Sequence, residues 1–420
     1  MERKDLYFVL FEQQKNFEQI KDLIDREKSK DLIKLISLKM PIIITGIRRC
    51  GKSSLFKIIK DKLDLNKKEY LYINFNDERL INFKPEDFQK IIDFLNENNY
   101  KKDCVLFIDE IQEAKAWEKW IDRIRSNYKI FISGSNSKLL SKEISTILTG
   151  RSLNFSLFPF SFKEFLKSKN INLKEWKLNL KTQSKIRKEF NEFIENGGFP
   201  QRVISGQNII ISELYENILY RDITRRFNKN LIKPIKEISL YLISNIASDT
   251  SLRKISALSG IKNISTIKEI IDSFENAFLF FSTSKFDYSI KKQIQNPKKV
   301  YCIDNGFFTS VGFRFSKDKG KLLENFVAIE LKRRDKEIYY YREKAECDFI
   351  IKEKNKITQA IQVCFSVDKE NKKREINGLI EVMKKFNLKK GLILTYDQEE
   401  KKKIEGKEII LQPVWKWLLT

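Results

Sequence analysis

The stretch "MPIIITGIRRCGKSS", Met40 to Ser54, decides how the first third of the chain folds. Ile42 to Ile44 begin an unbroken apolar run, the pattern of a strand buried on both faces of a parallel sheet. The run ends at Gly46, and Gly46, Gly51, Lys52 and Ser53 fit G-x-x-x-x-G-K-[ST] in full, between a predicted strand and a predicted helix. Glycines at those positions let backbone amides turn inward around phosphate oxygens. In that pattern the lysine reaches the β- and γ-phosphates of a nucleotide, and the hydroxyl after it faces magnesium. Lys52 and Ser53 take those parts here.

Working outward, "EYLYINFND", "DCVLFIDEIQ" and "YKIFISGSN" read as three further buried strands. Helical segments separate them, such as "FKPEDFQKIIDFLNENN" and "AWEKWIDRIRS". Strands alternating with helices predict an α/β fold with a parallel sheet. Residues 1 to 40 read as helix. Asp109 ends the strand "VLFID", where it can hold magnesium through water, and Glu110 is placed to polarise an attacking water. Ser135 or Asn136 ends the next strand beside the expected γ-phosphate. The expected ligands are ATP and Mg2+. The expected nucleotide contacts are Gly46, Arg49, Cys50, Gly51, Lys52, Ser53 and Ser54, with Ser53 and Asp109 on the metal side.

Composition narrows the chemistry. The chain has 420 residues, 81 Lys and Arg against 57 Asp and Glu, and a formal net charge of +24. Positive excess of this size favours a polyanionic partner, in the first place DNA. No histidine is present, so acid–base work falls to Asp, Glu, Lys, Tyr or water. The five cysteines form no CxxC pair, which argues against zinc and fits a reducing, cytoplasmic setting. The N-terminal residues lack a signal-peptide pattern, and no apolar run reaches membrane-spanning length.

Beyond about residue 155 the strand runs give way to helices and turns, and residues 211 to 231 read as one long helix; from Lys299 "KVYCIDNGFF" opens another strand, and the rest reads α/β again. "LYLISNIAS", "SLRKISALSG" and "NISTIKEIIDSFENAFLFFSTSKF" read as three helices and a wing, with "AFLFFSTSKFDYS" as a hairpin. That is the pattern of a winged helix-turn-helix, with Lys262, Lys268 and Lys285 as candidate DNA contacts. Glu269, Asp272 and Glu275 on its third helix favour a protein partner instead.

"GIRRCGKSS", "FIDEIQEAKAWEKWI", "ISGSNSKLL", "LTGRS", "FPFSFKEFL", "GGFP" and "ILYRDITRR" follow one another in order. With these motifs the chain resembles the AAA+-type ATPases of bacteria and archaea that carry a C-terminal uncharacterised module. The resemblance covers nearly the whole length. It implies that Arg151 is an arginine finger acting on a neighbouring subunit; the alternative is a surface arginine. A finger in trans implies a homo-oligomer, such as a hexameric ring. Gly198 and Pro200 resemble the element that rests on adenine in related switch ATPases. Arg225 and Arg226 either sense nucleotide from a lid or line a solvated helix face. Arg48 and Arg49 fit the loop pattern, and Cys50 stands where the family has a small residue.

The closing module of that family resembles the PD-(D/E)XK nuclease fold. On this resemblance Glu324, Asp348 and Gln362 map to the metal-binding positions, and Cys364 stands where an active member has its lysine. A lysine supplied from elsewhere would restore the charge, with Lys344 the nearest candidate. Without one, the three residues are a vestigial nuclease site. The expected layout is an AAA+ core over 1–155, a helical lid over 156–232, a winged helix over 233–297 and a restriction-endonuclease-like domain over 298–420. The expected function is a DNA-binding, oligomeric, Mg-dependent ATPase acting on duplex or branched DNA in remodelling or switching. The alternatives are an ATP-gated nuclease and a signalling ATPase that grips protein.

Overall fold

A computed structural model of the chain describes residues 1–136, 150–174, 176–312 and 319–420. The chain divides into two compact units, Met1–Phe158 with Asn276–Phe278, and Pro159–Glu275 with Leu279–Thr420.

The first unit is built on β1 (Ile42–Thr45), β2 (Tyr70–Asn74), β3 (Val105–Asp109), β4 (Lys129–Gly134) and β5 (Leu153–Ser156). They form one sheet in the order β2-β3-β4-β1-β5, with every pairing parallel. Parallel strands need crossovers, and helices such as Lys52–Lys62, Phe88–Glu97 and Trp117–Ile124 supply them. The apolar runs become strands because both faces are covered: all four residues of β1 and all five of β3 are buried. β5 was not expected; it is only partly buried and carries no continuous apolar run.

The outer edge of β2 is closed by side chains. The helix Arg3–Glu18 lays two glutamines along it. Gln14 accepts from Tyr72 N at 3.0 Å, and Gln13 accepts from Asn74 N at 2.9 Å and donates to Asn74 O at 3.1 Å. An edge strand satisfied in this way offers no ladder to another chain.

The second unit contains two sheets. β6 (Ser248–Thr250), β7 (Phe280–Ser284) and β8 (Lys298–Cys302) form a small antiparallel sheet in the order β6-β8-β7. The helices Ile232–Ser244, Leu252–Ser259 and Ile264–Asn276 precede β7. Ser251 caps the second of these through Lys254 N, and Gly260 ends it at φ +70°. β9 (Glu337–Arg342), β10 (Glu346–Glu353), β11 (Lys356–Val363), β12 (Lys390–Thr395), β13 (Glu400–Ile404) and β14 (Lys407–Pro413) form the larger sheet, ordered β13-β14-β12-β11-β10-β9. The helices Lys319–Arg333 and Lys372–Lys385 belong to the same part of the chain.

Three expectations change. Residues 211–231 are not one helix. An α-helix over Ile209–Asn217 passes into a wider π-turn at Ile218–Ile223 and then a short 3-10 turn. Thr224 Oγ1 donates to Tyr220 O at 3.2 Å, a side-chain bond of the kind that competes with the regular ladder. "AFLFFSTSKFDYS" forms one strand and not a hairpin. Past Ser284 the chain turns to β9, where Phe286 N donates to Tyr340 O at 2.8 Å. The partner of β7 is β8, the strand expected to open the C-terminal domain.

Candidate functional site

The P-loop sits where β1 hands over to the helix Lys52–Lys62. Gly46 has no room for a side chain, because a Cβ there would stand 2.2 Å from Leu157 O. Gly51 adopts φ +101°, a left-handed conformation natural to glycine, and caps the helix N-terminus. Arg49 also takes a positive φ, +62°. Cys50 is fully buried, and burial pushes its thiol pKa up, so it acts as a small apolar residue under the loop. Arg26 braces the loop from the next layer. It is buried and donates to Cys50 O at 2.8 Å and to Phe158 O at 2.6 Å.

Lys52 is almost wholly buried. Its Nζ donates to Gly46 O at 3.0 Å and Ile47 O at 3.4 Å and lies 3.4 Å from Glu110 Oε1. Burial works against its charge, but the Glu110 carboxylate beside it holds the pKa above the ordinary lysine value. Glu110 shows the reciprocal effect. Burial pushes its carboxyl up, and the Lys52 charge more than offsets that, leaving it low. Both partners are therefore held charged.

Glu110 leaves β3 in the left-handed region, φ +51°. That turn brings its carboxylate back over the loop, where Gln112 Nε2 donates to Oε2 at 2.5 Å and Ser135 N donates to the same oxygen at 3.0 Å. Asp109 is buried at the end of β3 and accepts from three hydroxyls. Ser53 and Tyr72 donate to Oδ2, the latter at 2.9 Å, and Ser133 donates to Oδ1. Burial and the neighbouring Glu110 charge raise the Asp109 pKa, opposed by the serine hydroxyls.

These residues fit Mg·ATP. A magnesium ion in such a site takes its ligands from phosphate oxygens, water and one hydroxyl, not from a cage of carboxylates. The Ser53 hydroxyl meets the Asp109 carboxylate where that ion would be held. Among the described residues no group of three or more His, Cys, Asp or Glu is arranged to hold a metal ion. Lys52, Ser53, Asp109 and Glu110 thus come together as read from the sequence. Ser54 is half-buried and Arg49 exposed on the same turn. Asn136 is half-buried one residue beyond Ser135. Tyr72, Ser133 and Arg26 were missed, since they reach the site only through strand order and chain crossing.

The remaining motif residues are placed as follows. Arg151 is exposed, with its NH1 3.4 Å from Asp122 Oδ1; residues 137–149, which hold "SKLL" and the first two residues of "LTGRS", lie outside the described residues. In the second unit, "GGFP" has a packing role. Gly198 N donates to the buried Asp304 Oδ2 at 2.7 Å, and a Cβ on Gly198 would stand 2.5 Å from Phe160 O. Pro200 occupies the first turn of the helix Pro200–Ser205. Arg225 and Arg226 are exposed. Lys262 and Lys268 are exposed, as are Glu269 and Asp272 on the same helix, while Lys285 is half-buried.

The C-terminal residues Glu324, Asp348 and Gln362 line one pocket of about 420 Å³ with Cys364, Glu346 and Lys299. Gln362 Oε1 accepts from Asp348 N at 3.3 Å, and its Nε2 donates to Glu375 at 2.7 Å. The lysine in this pocket is Lys299, from β8. Lys344 is exposed and lines no part of it, which corrects the sequence-based candidate. Burial and the charge of Asp348 push the Glu324 carboxyl up to about 7, opposed by Lys299 and Tyr301. Burial pushes the Cys364 thiol up to about 12, so it brings no charge.

Fold and site together define an AAA-type P-loop ATPase domain. Residues 38–166 match the AAA domain family, 187–318 match a domain of unknown function (DUF8612) and 319–417 match another (DUF4143). An uncharacterised protein of Methanocaldococcus jannaschii is 39% identical over 92% of this chain and 90% of its own. One of Haemophilus influenzae is 31% identical over 95% of this chain and 99% of its own. The chain belongs to the same family as these two proteins. Among solved structures, a Walker-type ATPase of Pyrococcus abyssi is 16% identical, covering 69% of this chain and 96% of that one, at a TM-score of 0.44. AMPPCP-bound DnaA from Aquifex aeolicus is 17% identical, covering 62% and 90%, at a TM-score of 0.31. Among the described residues no helix is long and apolar enough to cross a membrane.

Proposed function

We propose that the chain is a magnesium-dependent ATPase that binds DNA and works as a homo-oligomer, with hydrolysis driving remodelling or switching. The observation that carries the ATPase reading is the cluster of Lys52, Ser53, Asp109 and Glu110 at the P-loop. Bound magnesium supplies charge neutralisation at the β- and γ-phosphate oxygens. Lys52 holds the same oxygens, and Ser53 and Asp109 fix the metal side. The Glu110 carboxylate takes a proton from the attacking water as its oxygen bonds to the γ-phosphorus, while the bond from that phosphorus to the β,γ-bridging oxygen breaks and ADP leaves. Arg151, exposed, is free of the interior and suited to act on a neighbouring subunit's nucleotide.

The DNA reading draws on the +24 charge and on the middle helices. Three helices followed by β7 and β8, with β6 completing the small sheet, support a winged helix-turn-helix whose helix Ile264–Asn276 enters a groove. Exposed Glu269 and Asp272 on that helix favour the second reading, a switch that grips protein.

The test is ATP turnover with and without single-stranded, duplex and four-way-junction DNA. Mg2+-dependent turnover lost in Lys52→Ala, and stimulated by one of the DNAs, is the expected result. No turnover under any condition would overturn the ATPase reading. Turnover indifferent to DNA, with binding that barely falls as salt rises, would favour the protein-binding switch.

A further inference from the structure

Lys299 belongs to no motif found in the sequence, yet it stands at the centre of the C-terminal pocket. It is buried on β8. Its Nζ lies 2.8 Å from Glu346 Oε1, 3.0 Å from Glu324 Oε1 and 3.1 Å from Asp348 Oδ1. An ammonium has three N–H donors, and each finds a different carboxylate.

Several other polar atoms of the cluster are also engaged. Tyr301 OH donates to Glu324 Oε1 at 2.8 Å, and Val363 N donates to Asp348 Oδ2 at 2.9 Å. Gln362 is bonded at both ends of its amide. Arg342 holds Glu346 Oε2 at 2.6 Å and 3.0 Å. A hard divalent cation on these residues would need the carboxylate oxygens that the ammonium now gathers. The residues present therefore do not fit a resident metal ion, because a side chain already plays the cation's part.

We propose that Lys299 is a built-in cation occupying the position a divalent metal would take among Glu324, Glu346 and Asp348, so that this pocket is a lysine-closed site that takes up no divalent metal while the ammonium is in place. The lysine comes from the small sheet and the carboxylates from the helix Lys319–Arg333 and from β10, so the same ion cluster pins β8 to the larger sheet. Arg342 repeats the link in the opposite direction by pairing with Asp249 of β6. This inference rests on the pocket alone and stands whether or not the chain hydrolyses ATP.

The test is Mn2+ binding to the full nucleotide-free chain, followed by the electron paramagnetic signal of free Mn2+, in wild type, Asp348→Asn, Lys299→Met and the double variant. The expected result is no Asp348-dependent binding in wild type. Lys299→Met should gain one Mn2+ per chain, lost again in the double variant, and should melt at a higher temperature with Mn2+ than without. Wild-type binding that Asp348→Asn abolishes would overturn the proposal and make the pocket a metal centre. A folded Lys299→Met that gains no Mn2+ would overturn it too, leaving an ordinary buried ion cluster. Should Lys299→Met fail to fold, because three carboxylates lose their counter-charge, Lys299→Gln, whose amide still donates to them without a charge, takes its place with the same outcomes.

Discussion

The Lys52 ammonium lies 3.4 Å from Glu110 Oε1, within a site where both groups are held charged. One is the expected phosphate ligand and the other the expected base, so each keeps the other ionised until nucleotide enters between them. Glu110→Gln keeps the shape and removes the base. It should bind ATP about as well as wild type and lose on the order of 100-fold or more in turnover. Lys52→Ala should lose turnover together with nucleotide affinity. Equilibrium binding of a fluorescent ATP analogue, measured beside phosphate release, separates the two. Full turnover in Glu110→Gln would remove it from the chemistry.

Tyr72 acts one step behind the metal side. Its hydroxyl shares Asp109 Oδ2 with Ser53, so it orients the carboxylate expected to hold the ion's water. Tyr72→Phe should leave the fold intact and raise the Mg2+ concentration needed for half-maximal turnover by roughly 10-fold, the usual scale for an outer partner of a metal site. A Mg2+ titration of ATPase rate is the measurement. An unchanged half-point would make Tyr72 a packing residue.

Arg151 pairs on the surface with Asp122, which is no part of the Lys52, Ser53, Asp109 and Glu110 cluster. As a finger in trans, Arg151→Ala should keep nucleotide binding and lose about 1,000-fold in turnover. Mixing Arg151→Ala with Lys52→Ala subunits should restore part of the activity, since some interfaces then pair an intact P-loop with an intact arginine. No recovery on mixing, in a sample shown to co-assemble, would count against the finger.

The first unit was largely legible because its signals are local. β1 to β4 announce themselves as apolar runs, and Lys52 and Ser53 follow Gly51 at fixed spacing. Tyr72 and Ser133 were not legible, because only the strand order sets them on either side of Asp109. Arg26 meets Cys50 and Phe158 through chain crossings that no spacing reveals. Lys299 left a faint trace. Once a strand is placed over Lys298–Cys302, alternation puts Lys299 on the same face as Tyr301, and a lysine in an otherwise buried strand needs a counter-charge. The sequence-based strand began at that lysine, so its burial went unread.

Asp304 makes the pH dependence of the second unit testable. Burial raises its carboxyl from 3.8 to about 6, against the pull of Gly198 N and Gly306 N, which donate to it at 2.7 Å and 2.8 Å. The folded chain therefore keeps a proton that the unfolded chain releases. That contribution to stability is complete below pH 3.8 and is lost as pH rises through about 6. Its full size is on the order of 3 kcal/mol, from a shift of about 2 pKa units. Asp304→Asn cannot titrate, and its amide can accept from only one of the two backbone donors without turning its own N–H toward the other. The unfolding free energy of wild type minus that of Asp304→Asn should therefore shrink as pH rises from about 4 to about 7. Urea unfolding followed at several pH values reads this difference directly. A gap that widened with pH would mean that the glycine amides hold Asp304 ionised, reversing the balance of burial against hydrogen bonding at the "GGFP" turn.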